Sequence, residues 1–332
     1  MSDLRIFGVQ PLPRPQKRPT RLSALLVWFI AALGLLVSSL LSTALVPALS
    51  GLNAHVRLLI ANLIYYLPFV VLPVLLLARR TPGLYEAYRP NPISLFDVIS
   101  ITVLAVLGLF FVNDITLIWS IPFEQLGLNP YSAGLPVAQN ARELVLSVIT
   151  VAVVPAVCEE FLFRGAILSS FEAHGTKHAM WVTSILFMLI HASVIGAPSE
   201  LILGMILAFV VIWTDSIYAG LIYHTVHNAA AVVLEYLQTR STAAADVLQA
   251  RSTFEAIGGM AGVVELLLSI ALSAALILLT LKLMRMRGRL RGVCIEARKK
   301  QALRGSEWIV LLLGALCCVL LYATDFIAML GG

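Results

Sequence analysis

The chain has 332 residues, of which 60% are hydrophobic and only 12% charged, and its mean hydropathy is +0.93. That balance excludes a soluble domain with a large core and describes a polytopic membrane protein. The net charge of +5 gives no reason to expect a nucleic-acid partner, because the basic residues fall where membrane topology needs them, and the four cysteines form no CxxC pair for a disulfide framework or thiolate metal site.

Residues 1–21 are Pro-rich and basic (Arg5, Arg14, Lys17, Arg18, Arg21) and read as a disordered cytoplasmic tail. The apolar run that follows is as long as a full span of about 20 residues, longer than a signal-peptide core, so it predicts a retained anchor. Further apolar windows predict segments near 22–45, 57–78, 96–120, 142–172, 178–195, 200–214, 217–238, 261–283 and 308–330. The window at 200–214 is short, as for a tilted or partly inserted helix. The expectation is an all-α polytopic transmembrane helix bundle of eight or nine spans with the active site inside the membrane.

With the N-terminus inside, cytoplasmic regions hold 18 of the 23 Lys and Arg residues. This asymmetry predicts an inside N-terminus and an odd number of spans. The basic block Arg285–Arg304 serves as a topology determinant and is also suited to anionic headgroups. Four regions follow: the tail 1–21, N-terminal transmembrane helices 22–139, a catalytic helical core 140–238, and C-terminal transmembrane helices with a basic cytoplasmic loop, 239–332. The expected location is an integral membrane protein, in a bacterial cell membrane.

The core opens on Val-Ile-Thr-Val-Ala-Val-Val-Pro155-Ala-Val-Cys158-Glu159-Glu160-Phe-Leu-Phe-Arg164. Ionisable residues at membrane depth cost about 2.5–3.5 kcal/mol each on insertion scales, so three within six residues need a reason. Residues four apart share a helix face, so Glu160 and Arg164 pair while Glu159 is left free. Pro155 cannot donate to the carbonyl of Val151, which predicts a kink or an exposed carbonyl beside the carboxylate. A buried ionic cluster that only fixes helix packing is the competing reading.

His174-Gly175-Thr-Lys-His178 reads as a tight cytoplasmic turn. Glu159 lies 16 residues before Gly175 and His191 lies 16 after it, so an antiparallel helix pair sets both at one depth. Phe187, four residues before His191, can wall its imidazole. His224 and Asn228 share a face on a later helix, and two donors converging there would suit an oxyanion hole. The alternative there is interhelical hydrogen-bonding glue.

No GxSxG, P-loop or HExxH stretch is present. The remaining hydrolytic chemistry is activation of water by Glu159 with His191 sharing the proton, and an oxyanion stabilised by His224 and Asn228. The same residues Glu159, His191 and His224 are alternative zinc ligands, so the cofactor expectation is none, with zinc as alternative. A transporter would also use intramembrane acids, but no duplicated half is present.

At these residues the chain resembles the CPBP (Abi) family of intramembrane endopeptidases. That family includes the type II CAAX prenyl endopeptidases and bacterial proteins linked to bacteriocin self-immunity. Its pattern is matched by Glu159-Glu160-x-x-x-Arg164, Phe187-x-x-x-His191 and His224-x-x-x-Asn228, over roughly residues 140–235. The resemblance implies that Glu159 and His191 activate water, that His224 and Asn228 form the oxyanion hole, and that Glu160 and Arg164 support them. His227 lies outside the pattern. The resemblance leaves glutamic and zinc-dependent mechanisms both open, and it also admits a non-catalytic immunity or scaffold protein. The expected partners are the lipid bilayer and a membrane-anchored polypeptide, prenylated or not, cleaved within or near the cytoplasmic leaflet.

Overall fold

The computed structural model describes residues 18–81, 83–130, 135–240, 253–293 and 301–331. Most of the expected tail, parts of both long loops (131–134 and 241–252) and residues 294–300 of the basic block lie outside them. The described residues form nine long helices: α1 (Arg21–Leu49), α2 (Ala54–Arg80), α3 (Leu95–Gln125), α4 (Ala141–Glu172), α5 (Thr176–His191), α6 (Ala197–Thr214), α7 (Ile217–Gln238), α8 (Gly259–Leu290) and α9 (Gly305–Leu330). Among the described residues there is no strand. The protein is an all-α polytopic bundle.

Eight of the nine helices are long and apolar enough to cross a membrane, and α5 is the exception at 16 residues. The sequence pointed to 200–214 as the short segment. Helix α6 instead starts earlier, with Pro198 in its first turn, and runs 18 residues. Helix α5 stops at His191 because Ala192 takes a left-handed φ of 50° and the chain doubles back. That turn is pinned by Val194, whose N–H donates to Asp325 Oδ2 at 2.8 Å and whose carbonyl accepts from Trp119 Nε1 at 3.1 Å.

Polar contacts sort the helix ends into two sets. At one end Arg21 meets Glu307, Arg89 meets Glu172 and Asp215, and Arg287 and Arg291 meet Asp97. Burial there raises the Asp215 carboxyl above its ordinary pKa, with Arg89 working in the opposite direction. At the other end Asn53 donates to Glu143, Arg240 to the Gln139 carbonyl and Asn129 to the Met329 carbonyl. Successive helices therefore alternate in direction, and the basic residues Arg79, Arg80 and Lys177 gather at the first end.

Helix α3 packs against α6, α7 and α8, α5 and α6 form a hairpin, and α1 lies along α9. Helix α5 is held from both flanks. Trp28 of α1 donates to the Leu186 carbonyl at 3.1 Å, and Tyr322 of α9 to the Met188 carbonyl at 3.1 Å. In hydrocarbon such bonds have no water to replace them. The outer faces of α8 and α9 carry exposed leucines, including Leu268, Leu272 and Leu312, as lipid contact requires.

Candidate active site

Three stretches of α2 and α4 depart from α-helical winding. Leu67–Val71, Val148–Val153 and Phe161–Leu168 are π-helical, and prolines 68 and 155 lie within or just after such stretches. A proline cannot donate to the carbonyl a turn earlier, and a wider turn is one way to absorb that loss. Between the second and third stretches stand Glu159 and Glu160.

Glu160 is fully buried, and its Oε1 accepts from Arg164 Nη1 at 2.8 Å. The same oxygen lies 3.1 Å from His224 Nδ1. Arg164 also donates to the Gly204 carbonyl at 3.2 Å and rests 4.7 Å over the Phe187 ring. The pairing expected from the four-residue spacing is present and welds α4 to α6 and α7. Gly220 of α7 is required for this approach, because a Cβ there would run into Glu160 Oε2.

Glu159 points away from that pair. Tyr66 of α2 donates to its Oε1 at 2.6 Å. Its Oε2 is buried with no hydrogen-bond partner, 3.8 Å from His224 Nε2 and 3.9 Å from His191 Nε2. The depth match across the Gly175 turn is met in the structure: the two helices bring Glu159 and His191 face to face.

The far nitrogens fix the two rings. His191 Nδ1 is 2.7 Å from the Phe187 carbonyl, which can only accept, so Nδ1 carries a hydrogen and Nε2 is the nitrogen presented to the site. His224 Nδ1 faces the Glu160 carboxylate, so its Nε2 is likewise turned to Glu159. Phe187, fully buried, lies 4.4 Å from the His191 ring, 5.9 Å from His224 and 5.1 Å from Phe163, centroid to centroid. It walls both imidazoles and limits their rotamers.

Asn228 is placed differently from the donor pair expected on that helix face. Its amide donates to the Val151 carbonyl at 3.3 Å. That is the carbonyl Pro155 fails to serve. One of its two amide hydrogens is thus committed to backbone. His227 stacks on Tyr223 and faces the Ala105 carbonyl on α3, away from Glu159.

Two neighbours were not singled out in the sequence. Tyr66 came from a Leu-Ile-Tyr-Tyr-Leu-Pro run with no distinguishing signal. Glu200, whose Oε2 lies 3.5 Å from His191 Nε2, did carry one: it is an acid in the first turn of an apolar helix.

A zinc ion would find the right ring orientations here, with both imidazoles held by their other nitrogen. Among the described residues no group of three or more His, Cys, Asp or Glu side chains is placed to hold a metal ion as the side chains stand.

An apolar cleft of about 480 Å³ lies between α2 and α4 and reaches Cys158, the chain neighbour of Glu159. Val70, Val74 and Leu75 form one wall, Val157, Cys158 and Phe161 the other, and Leu84 and Tyr88 close it toward the basic end. The volume is within the range of about 300–1,000 Å³ common to small-molecule sites.

Residues 141–230 match the family described as Type II CAAX prenyl endopeptidase Rce1-like. The matched segment runs from the start of α4 into α7 and contains all three motifs on which the resemblance rested. No curated protein and no solved structure matches the chain significantly.

Proposed function

We propose, for a chain whose residues 141–230 belong to the Rce1-like family of type II CAAX prenyl endopeptidases, that Glu159 is the general base of an intramembrane endopeptidase. The family is one of CAAX-type intramembrane proteases. The observation that carries the reading is the divided carboxylate of Glu159. One oxygen is tied to Tyr66, and the other is buried, unbonded and faced by two imidazole nitrogens.

A water bridging that oxygen and the Nε2 atoms gives up a proton to Glu159 as its oxygen attacks the scissile carbonyl. His191, fixed by the Phe187 carbonyl, delivers a proton from Nε2 to the leaving amine and recovers it from Glu159. His224, held through Nδ1 by Glu160, turns Nε2 to the oxyanion, and Asn228 contributes its second amide hydrogen. Glu160 and Arg164 hold His224 in place. No step in this reading runs through a metal.

The substrate is a polypeptide anchored in the bilayer, with the N-terminus of the enzyme on the cytoplasmic side. The apolar cleft, lined by Cys158 next to Glu159, supports a hydrocarbon anchor on that substrate, such as a prenyl chain. Its extension from Cys158 toward Leu84 and Tyr88, at the basic end, supports an anchor held in the cytoplasmic leaflet and cleavage near it.

The test is cleavage by purified protein in vesicles of a panel of prenylated, acylated and transmembrane peptides, with and without a strong chelator. Glu159→Gln is expected to lose about 10³-fold or more in kcat/KM, within the span for a removed general base. Undiminished Glu159→Gln activity would falsify the mechanism. Chelator-sensitive cleavage restored by zinc would establish the metal-dependent reading. A cellular phenotype that survives in Glu159→Gln, with no cleavage by either protein, would establish an immunity or scaffold role.

A further inference from the structure

We propose that Glu200 is a positioning residue for catalysis, the counter-charge that keeps His191 a proton donor toward the substrate. The inference rests on the general-base reading of Glu159 and concerns a carboxylate outside all three motifs.

The first argument is hydrogen-bond inventory. His191 spends Nδ1–H on the Phe187 carbonyl at 2.7 Å, so only Nε2 faces the site. Two carboxylate oxygens face Nε2: Glu200 Oε2 at 3.5 Å and Glu159 Oε2 at 3.9 Å. Both are buried and without hydrogen-bond partners. A lone pair on Nε2 between two such acceptors is repulsive, whereas an Nε2–H between them is attractive. The arrangement therefore selects the imidazolium.

The second argument is charge. The cluster holds three carboxylates, Glu159, Glu160 and Glu200, against one guanidinium, Arg164. Uncompensated charge is expensive at membrane depth. Glu200 is the carboxylate of that cluster whose nearest imidazole nitrogen is His191 Nε2, at 3.5 Å.

The third is construction. Glu200 reaches His191 only because the chain reverses at Ala192, in a left-handed conformation that costs a non-glycine residue free energy. That turn is fastened by Asp325 and Trp119. Glu200 then sits in the first turn of α6, where the helix dipole favours a negative charge. The result is a Glu200–His191–Glu159 line in which Glu200 never takes the proton. The water proton goes to Glu159, the Nε2 proton goes to the leaving amine, and Glu159 returns its proton to Nε2.

The experiment compares wild type, Glu200→Gln, Glu200→Asp, Glu200→Ala and Glu159→Gln in the vesicle cleavage assay. Glu200→Gln is expected to lower kcat by about 10–100-fold, the range for removing a partner that orients a functional histidine, with KM within about twofold. Glu200→Asp recovers part of that loss. Both side chains are about a quarter exposed, so added formate is expected to restore activity to Glu200→Ala. Wild-type kcat in Glu200→Gln overturns the proposal. So does a loss in Glu200→Ala that neither formate nor the Asp variant relieves, since that is the signature of packing alone. Unimpaired Glu159→Gln sinks the general-base reading instead, and the two failures are separately visible.

Discussion

Two clusters among the described residues bring histidine to carboxylate, one around His55 and one around His191 and His224, and they differ in what they leave unsatisfied. At the end opposite the basic loops, His55 of α2 lies 2.8 Å from Ser147 Oγ through Nδ1 and 3.5 Å from Glu143 Oε2 through Nε2. Glu143 also accepts from Asn53 at 3.0 Å and from the Gln139 N–H at 2.8 Å, so both its oxygens are engaged. In composition this is a Ser-His-Glu constellation. His55 and Ser147 are 3% and 4% exposed, and none of the three residues leaves a buried side-chain N or O atom without a partner. In the central cluster, Glu159 Oε2 and Glu200 Oε2 are buried without a hydrogen-bond partner, with imidazole nitrogens 3.5–3.9 Å away. A satisfied network rigidifies a helix junction; an unsatisfied one is held ready for water and substrate. Residue type does not separate them, but bonding state does.

The largest effect that tests this contrast comes from the pair common to packing and chemistry. Arg164→Ala leaves the fully buried Glu160 carboxylate without its cation, and breaking a buried pair in this way costs about 3–5 kcal/mol. The expected outcome is poor accumulation of folded protein and early thermal unfolding in detergent. The double variant Glu160→Gln with Arg164→Met removes both charges, and is expected to recover most of the thermal stability while remaining inactive. Recovered activity in the double variant would show that Glu160 has no part in holding His224.

Next in size is Tyr66→Phe. Among the described residues the phenol gives Glu159 its one side-chain hydrogen bond, at 2.6 Å, and determines which oxygen is left over. A hydrogen bond to a charged group is worth about 1.5–3 kcal/mol, so kcat should fall by about 10–100-fold. Folding should be little changed, because the ring that packs against Tyr65 is retained. A kcat within twofold of wild type would mean that Glu159 orients without α2.

Local spacing made much of this site legible. Glu160 and Arg164 are four apart on one helix, and regular rise carried the register from Glu159 through Gly175 to His191, so both relations could be read from residue numbers alone. The orphaned Val151 carbonyl was legible from Pro155, although not the identity of Asn228 as the group that satisfies it. Tyr66 was not legible, because it arrives through the packing of α2 on α4, and an aromatic in an apolar run is ordinary in a membrane helix. Glu200 was legible as an expensive acid but not as a neighbour of His191, since that depends on the left-handed turn at Ala192. The shorter helix was misassigned for the same reason. Apolar windows run straight through residues 192–196, and only the contacts of Val194 with Trp119 and Asp325 show where the chain turns.

The smallest effect is the one that bears most directly on the comparison. Ser147→Ala removes a single hydrogen bond to His55, worth about 0.6–2 kcal/mol between membrane helices. A slight loss of thermal stability with unchanged kcat and KM is expected. The hydroxyl has an imidazole on one side and a carboxylate beyond it, which is the order of groups a nucleophilic serine needs. It lies inside α4, without a strained turn to expose it and with no room for an acyl group at 4% exposure. A fluorophosphonate that reacts with active serines should therefore leave Ser147 unlabelled in intact protein, as read by mass spectrometry of the peptide containing it. Labelling at Ser147, absent from His55→Ala, would mean that the satisfied network opens on its own, and that bonding state in the resting fold does not distinguish a clasp from a catalyst.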